Sequence, residues 1–599
     1  MAVRVRRRGS DESRRRLLYL GFVVAWAPAV ATLELILRYG VDLPFYDQWV
    51  AEAPLFAKIW RHQSTVADFW AQHNEHRMVF PKLVYVALAW ATHWNVRAEL
   101  VATWALVCIV SVAIRRCQRS TVGAEGWLRM LQLLLANILL FSPAAFETWL
   151  WAISLVNILQ VTCILCSLAL ACSAAPLRMK VGCGAALALV ATFSTINGFL
   201  GWLLPLPLLF LQPAPAGDRA QRRLFIVWMI AFIVSAMAYF SGYEKPSGHP
   251  SLLTAFANPI DAAQFLLVYF GNPFTPLTHP RYTSIAQLIG GVLLALYIGA
   301  CSYILYRRSN PALLNRSLVW IVVGLYSLLN GLSVTVSRLG FGPMAATWSR
   351  YVSYSIFLPL ALVFLLPIVA SDLADDGRRS PSQLAAGVLI VVLVVLLVFD
   401  LFKASEAVAI MRLTRVRRLQ GKAALLYVDA FRDESIKTYV SRTDTDIRPI
   451  ADDLSMLGLL HPPILKTARM QDIERATATE MASGALDRAT QTGTDRVALR
   501  GWTWNPRTGM PADAVIVSYE AANGDSIACA VADMTLDSFE PPGESKTAAA
   551  AWQLELPTER LPGGTLRLCA WALDIDRAAA IRLPGCRDVV VPTRPGSRP

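Results

Sequence analysis

The sequence predicts a polytopic α-helical membrane protein that ends in a small all-β domain. Three observations predict it. Hydrophobic residues fill 55% of the 599 positions and charged residues only 17%, which is too apolar for a soluble chain of this size. The apolar residues fall in blocks of about 20, the length a helix needs to cross a hydrocarbon core of roughly 30 Å. Beyond residue 485 the pattern changes to short runs of Val, Leu and aromatics broken by Pro and Gly, the signature of strands and turns.

Residues 1–16, MAVRVRRRGSDESRRR, form a basic N-terminal segment. A membrane domain follows over 17–403, with eleven expected spans: Leu17–Leu37, Arg97–Ile114, Leu128–Phe141, Leu150–Cys172, Cys183–Thr195, Gly198–Leu211, Leu224–Phe240, Ser284–Tyr306, Leu318–Val336, Tyr351–Ala370 and Leu384–Phe402. The count is open by one or two. STING (Ser194–Gly198) reads either as a tight turn between two spans or as a break in one long helix. Arg and Lys also cluster at 115–119, 177–180, 218–223, 306–316 and 375–380, all on the side of the N-terminus, and positive short loops are retained in the cytoplasm. The loops 38–96, 142–149, 241–283 and 337–350 then face outward, as does everything after Lys403. The expected location is a bacterial inner (plasma) membrane, with the N-terminus cytoplasmic and the C-terminal domain extracytoplasmic. The basic leader, the apolar run and Ala29-Val30-Ala31 also fit a cleaved signal peptide. Hydrophobicity continuing to Leu37 favours a retained anchor, and the 38–96 loop lies outside in either case.

Much of the net charge of +13 sits in the cytoplasmic clusters, where its ordinary role is topogenic and directed to anionic membrane lipids. No basic patch is interleaved with aromatics, so no nucleic-acid partner is expected. Seven of the ten cysteines lie in or beside spans, where thiols pack as small apolar groups. Cys163 and Cys166 form a CxxC without a second ligand pair, which does not make a metal site. Cys529, Cys569 and Cys586 lie in the outward region, where a disulfide can persist. They permit three pairings, of which Cys569–Cys586 is preferred because a short return between strands would join them.

Residues 404–485 read as an extracytoplasmic helical linker, with ASEAVAIMRLTRVRRLQGKAALLYVDAF as one long helix. Residues 486–599 read as a β-sandwich, and Asn523-Gly524 between two alternating runs is a hairpin signal. The domain is either a structural cap, a module that docks a protein partner, or a glycan binder through Trp502, Trp504 and Trp571, which fit a core equally well.

The 38–96 loop is long for a connection. It carries WVAEAPLFAKIW and LVYVALAWATHW, amphipathic stretches too short to span and suited to lying in the membrane interface. Asp47 stands just before the first of them, and the run HNEHR, with His73, Glu75, His76 and Arg77, stands between them. Ionisable groups at the membrane boundary are costly and need a reason. A carboxylate there can deprotonate an acceptor hydroxyl and help it displace a phosphate leaving group. His73, His76 and Glu75 suit either further acid/base work or a divalent cation, and no other cofactor is expected. HNEHR is not an HExxH zinc motif. Arg77 and the later arginines offer the planar charged fork that a phosphate needs.

A cytoplasmic N-terminus, one span, a long outward loop with an acidic residue in PFYDQW, many further spans and an exported C-terminal domain resemble the GT-C-type glycosyltransferases. The resemblance covers residues 1 to about 403 as architecture. It implies a polyprenyl-phosphate-linked sugar donor and a catalytic base at Asp47. The chain departs from the family's pattern in having no DxD or adjacent acidic pair after the first span, only Asp42 and Asp47, which leaves the metal requirement and the choice between Asp47 and Glu75 open.

Other outward polar groups are candidates for the same site. They are Glu147 in FETWLW, Asn197 with Ser194 and Thr195 in STING, and Tyr243, Lys245 and His249 in FSGYEKPSGHP. SRLGFGPMAATWSRY adds Arg338, Arg350 and Tyr351, and either arginine suits the lipid phosphate. Each of these taken alone is also an ordinary loop end or cap. The leading expectation is transfer of a sugar from a polyprenyl-phosphate donor to an envelope acceptor at the outer face. The second is a transporter or flippase of a lipid-linked glycan, against which stand the absence of an internal repeat and the position of the ionisable groups at the rim. Glu34 is the nearest exception and can snorkel beside Arg38. The third, a membrane anchor that presents its β-sandwich, leaves eleven spans without a use.

Overall fold

The computed structural model describes residues 21–121, 126–211, 218–246, 248, 250–375, 379–430, 435–441, 446–474, 483–493, 495–504, 511–539 and 549–592. Among them, seven helices are long and apolar enough to cross a membrane: Val96–Thr121, Leu128–Leu150, Ala152–Ala171, Arg219–Phe240, Tyr282–Tyr306, Pro311–Phe341 and Ser349–Leu373. The chain is therefore a multi-pass helical membrane protein. Of the eleven expected spans, the first is described only in part, as the helix Ala27–Tyr39. The pair around STING is a 16-residue helix, Leu177–Thr192, followed by the short turns Ile196–Phe199, Leu200–Leu203 and Leu206–Phe210. The 241–283 stretch, read as a loop, contains the helix Pro259–Gly271, whose 13 residues are too few to span but bury Phe265, Val268, Tyr269 and Phe270. The helix Arg379–Leu426 runs unbroken through Lys403.

The chain divides into two compact units. The first comprises Met1–Gly40, Val66–Val84 and Glu99–Ile410. Its helices approach closely where glycine removes the side chain. A Cβ on Gly271 would lie 1.9 Å from the Ala286 carbonyl oxygen, and one on Gly290 would lie 2.0 Å from that of Leu267, so Pro259–Gly271 and Tyr282–Tyr306 touch backbone to backbone. Gly198 plays this part at the STING break, where a Cβ would fall 1.9 Å from the Ala191 carbonyl oxygen. Backbone atoms cannot move aside as a flexible side chain can. Gly198→Ala is accordingly expected to destabilise the fold by about 1–3 kcal/mol or more, read as a lower unfolding temperature in detergent. An unchanged temperature would mean that the turn relaxes freely.

The second unit comprises Val41–Thr65, Tyr85–Ala98 and Met411–Pro599. Its β-sandwich has a four-stranded antiparallel sheet in the order Ser483–Thr492, Arg496–Trp504, Ala549–Pro557, Asp533–Phe539. The other sheet has the order Ala579–Arg582, Gly564–Asp574, Ala514–Glu520, Ser526–Val531, with Arg587–Val591 also paired to Gly564–Asp574. Alternation along Arg496–Trp504 sends Val497, Leu499, Gly501 and Thr503 inward and leaves Trp502 and Trp504 half-buried on the other face. Trp571 is a core residue whose indole N–H donates to Ser518 Oγ at 2.8 Å. Gly524 supplies the positive φ, 84°, of the hairpin turn between Ala514–Glu520 and Ser526–Val531. Cys569 and Cys586 are joined by a disulfide with a Cα separation of 4.5 Å.

Part of the first long loop also belongs to the second unit. The helix Ala53–Trp60 buries Ala53, Leu55, Phe56 and Ala57, with Phe56 edge-on to Trp94 at 5.0 Å. Arg61 pairs with Asp453 at 2.7 Å, and the Tyr46 N–H donates to the Val440 carbonyl at 2.9 Å. Protein covers Ala53, Leu55, Phe56 and Ala57 of this helix.

Candidate functional site

In the first unit, four irregular segments bring polar side chains together. The HNEHR run forms a tight hairpin, Gln72–His73 against His76–Arg77, turned through Asn74 at φ 48°. Asn tolerates this left-handed conformation because its side chain bonds locally. The turn puts Glu75 at the tip and makes His73 and His76 cross-strand partners. After the helix Pro311–Arg338, the chain descends through the 3-10 turns Leu339–Phe341, Pro343–Thr347 and Ser349–Tyr351, with Gly342 at φ 96°. The Phe146–Leu150 turn and the STING break complete the set.

Glu75 Oε1 contacts Arg338 Nη2 directly and lies 4.0 Å from His76 Nε2. Burial alone would raise its pKa; the His76 ring and the Arg338 guanidinium outweigh that and bring the carboxyl down to about 2. His76 Nδ1 lies 3.3 Å from the Ile196 N, and Arg338 is the partner with the permanent charge. The Tyr239 hydroxyl donates to the Glu75 carbonyl at 2.7 Å and fixes the tip of the hairpin. Glu75 is thus an ionised, weakly basic member of an ion pair. Its folded pKa is depressed from 4.5, so the pair contributes stability that is complete above that value and is lost as the pH falls through about 2. The stability difference between wild type and Glu75→Gln should therefore be full above pH ~5 and shrink steadily below it. A difference independent of pH would contradict the pairing.

Several predicted groups have structural partners. Arg77 was expected to meet a phosphate, but it is buried and its guanidinium is spent on carbonyls. It donates to Tyr239 at 2.7 Å, to Trp70 at 3.0 Å and to Ser241, clamping the hairpin in place. Asn197 bridges Asn330 Oδ1 at 2.9 Å and Ser333 Oγ at 3.0 Å between helical segments. His73 Nε2 lies 3.3 Å from Asn74 Nδ2. Tyr243 stacks on Tyr239 at 6.3 Å; burial and the nearby Glu75 charge raise its pKa. Lys245 is exposed, and His249 lies outside the described residues. Among the described residues, no group of three or more His, Cys, Asp or Glu side chains is arranged to hold a metal ion.

Glu147 and Arg350 form the other half of the site. The Glu147 carboxylate accepts Ser349 Oγ–H at 3.1 Å and the Arg350 N–H at 3.0 Å, while its own N–H donates to Ser349 Oγ at 3.0 Å. These bonds fix the backbone that carries Arg350. The Arg350 guanidinium carbon lies 4.2 Å from the Trp348 ring centroid, 5.4 Å from that of Trp151 and 5.6 Å from that of Tyr351. Among the described residues, it has neither an ion pair nor a side-chain hydrogen bond. Rings on several sides hold a planar cation by its faces and leave its N–H edge for an anion. The Arg350 carbonyl accepts Ser353 Oγ–H at 2.7 Å, and Ser353 lines an apolar crevice with Val107, Val110, Trp149, Ile158 and Phe357. The Arg350 backbone thus adjoins an apolar recess through Ser353, while its guanidinium has no anionic partner among the described residues. The ring partners were missed in the sequence, although FETWLW and ATWSRY hold the tryptophans that supply them.

Asp47 belongs to the second unit. It precedes the helix Gln48–Ala51, its carboxylate makes no capping bond, and its side chain is half-buried. Tyr46 before it has φ 49°, a strained conformation for a non-glycine residue. Asp42, by contrast, accepts the Val96 N–H at 2.8 Å and is held at the start of the helix Val96–Thr121. Burial raises the Asp42 pKa against the opposing charge of Lys422. The two first-loop aspartates are thus distinguished: the Asp42 carboxylate accepts a helix-start N–H, and the Asp47 carboxylate makes no capping bond.

No protein-family model matches the chain, and no curated protein matches it. Among solved structures, it is similar to ArnT from Cupriavidus metallidurans bound to undecaprenyl phosphate, with 13% identity and a TM-score of 0.36 over 74% of this chain and 88% of that one. At that score the likeness carries no functional argument.

Proposed function

We propose that the protein is a membrane glycosyltransferase of the GT-C type, which moves a sugar from a polyprenyl-phosphate donor to an envelope acceptor at the outer face of a bacterial inner membrane. The observation that carries this reading is Arg350, a cation whose backbone is fixed by Glu147 and whose guanidinium lies against the Trp348 ring, with no anionic partner among the described residues. A lipid phosphate is an anion that suits such a fork, and its isoprenoid chain suits the apolar surroundings of a membrane domain. The base that takes the proton of the acceptor hydroxyl is assigned to Asp47 on the resemblance of the first-loop sequence alone. The freed oxygen bonds to the anomeric carbon, the bond from that carbon to the phosphate oxygen breaks, and its electron pair leaves on the phosphate, whose charge Arg350 stabilises. Asp47 is preferred to Glu75 as base because a carboxyl at about pKa 2, engaged by Arg338, is a poor proton acceptor. The C-terminal sandwich is assigned to an acceptor glycan or a protein partner.

The test is the fate of the donor. Membranes containing the protein, supplied with a polyprenyl-phosphate sugar pool labelled in the sugar, should release unglycosylated polyprenyl phosphate and place the label in envelope glycan. Movement of intact donor across the bilayer without cleavage would overturn the reading and favour a transporter.

A further inference from the structure

Arg338 and Arg350 both address Tyr351. Arg338 interacts electrostatically with Tyr351, and Arg350 lies 5.6 Å from its ring centroid. They differ in one respect. Arg350 has no anionic partner among the described residues, whereas Arg338 is paired with Glu75. Arg338 ends a 28-residue helix, and Glu75 sits on the tip of a short hairpin whose backbone is held by Arg77 and Tyr239. The Glu75 side chain can therefore turn away from the fork by rotation about its own bonds, with the hairpin staying in place. Without the Glu75 carboxylate the empty site would bury two arginine charges close to one tyrosine, a costly arrangement.

We propose that Glu75 is an internal occupant of the phosphate site: in the empty protein its carboxylate holds the place of a phosphate on Arg338, it is displaced when the lipid phosphate binds, and it returns when that phosphate leaves. The inference rests on the reading that Arg350 holds the phosphate, and it adds Arg338 as the second, guarded ligand. The chemistry of the reaction gives the guard a purpose. The donor is a phosphodiester with one negative charge, whereas the product is a phosphate monoester carrying about −1.5 to −2 near neutrality. Two unguarded arginines would grip the product more strongly than the donor. A carboxylate competing for one of them weakens that grip and favours release.

The test titrates the purified full-length protein in nanodiscs with polyprenyl phosphate and, separately, with inorganic phosphate. Glu75→Gln should bind polyprenyl phosphate about tenfold more tightly than wild type, with product inhibition strengthened by the same factor. The double variant Glu75→Gln/Arg338→Gln should lose the gain. An affinity for Glu75→Gln equal to or weaker than wild type, while Arg350→Ala still weakens binding, overturns the guard and leaves the functional reading standing. Wild-type protein that binds no phosphate, or binding that ignores Arg350→Ala, overturns both. Tightening for the lipid alone assigns the guard to a lipid headgroup, and parallel tightening for inorganic phosphate assigns it to phosphate as such. Should Glu75→Gln not fold, the infrared difference spectrum of the wild type on adding polyprenyl phosphate decides. A shifted carboxylate stretch supports displacement, and an unchanged one overturns it.

Discussion

Asp47→Asn is expected to lower sugar transfer by about a hundred- to ten-thousand-fold, the range that a positioned general base supplies, while leaving insertion, folding and donor affinity intact. The amide keeps the size of the side chain and removes its charge and its capacity to take a proton. The structural cost is expected to be small, because the Asp47 carboxylate makes no capping hydrogen bond to the helix that follows it. Asp42→Ala is the informative control. Asp42 accepts the Val96 N–H, so its substitution should cost stability more than turnover. Equal transfer by Asp47→Asn and wild type would remove Asp47 from the mechanism and return the proton to another group.

The second large effect is expected at Arg350. Truncating one partner of a desolvated, hydrogen-bonded charge pair costs about 2–5 kcal/mol, so Arg350→Ala should raise the donor concentration at half-saturation by roughly thirtyfold or more. Arg350→Lys should recover only part of this, because an ammonium supplies the charge without the planar fork and stacks less well on Trp348 and Trp151. Glu147→Gln should reproduce a milder form of the defect. Its carboxylate accepts the Ser349 hydroxyl and the Arg350 N–H, and so sets where the guanidinium stands without touching the phosphate. Donor titration in membranes separates these cases. An unchanged half-saturation for Arg350→Ala would exclude the phosphate role.

The parts of the fold that were legible in the sequence are those governed by local periodicity. Continuous apolar blocks such as Tyr282–Tyr306 and Arg219–Phe240 announce themselves, as does the Asn523-Gly524 hairpin. What local pattern cannot carry is context. The Pro259–Gly271 helix is too short to read as a span and packs through glycine contacts with a partner that follows it in the chain. Ala53–Trp60 is amphipathic in either environment, so its pattern does not say whether lipid or protein covers it. The site shows the same division. Glu75, Arg338, Glu147 and Arg350 were recognisable as polar groups in unusual places, yet their roles depend on pairing across long sequence separations. Glu75 meets Arg338, and Glu147 meets Ser349 and Arg350. Pairing also decides which arginine is available. Arg77 offers the same planar fork in the sequence, and only the fold shows its guanidinium donating to three backbone carbonyls.

The most direct measurement compares binding of a polyprenyl phosphate and of the corresponding polyprenol, which has the same chain and no phosphate, to wild-type protein and to Arg350→Ala. The phosphate lipid should bind wild type far more tightly than the alcohol, and Arg350→Ala should abolish most of that difference. Equal binding of the two lipids by wild type, or a difference that survives in Arg350→Ala, would contradict the assignment of Arg350 to the phosphate.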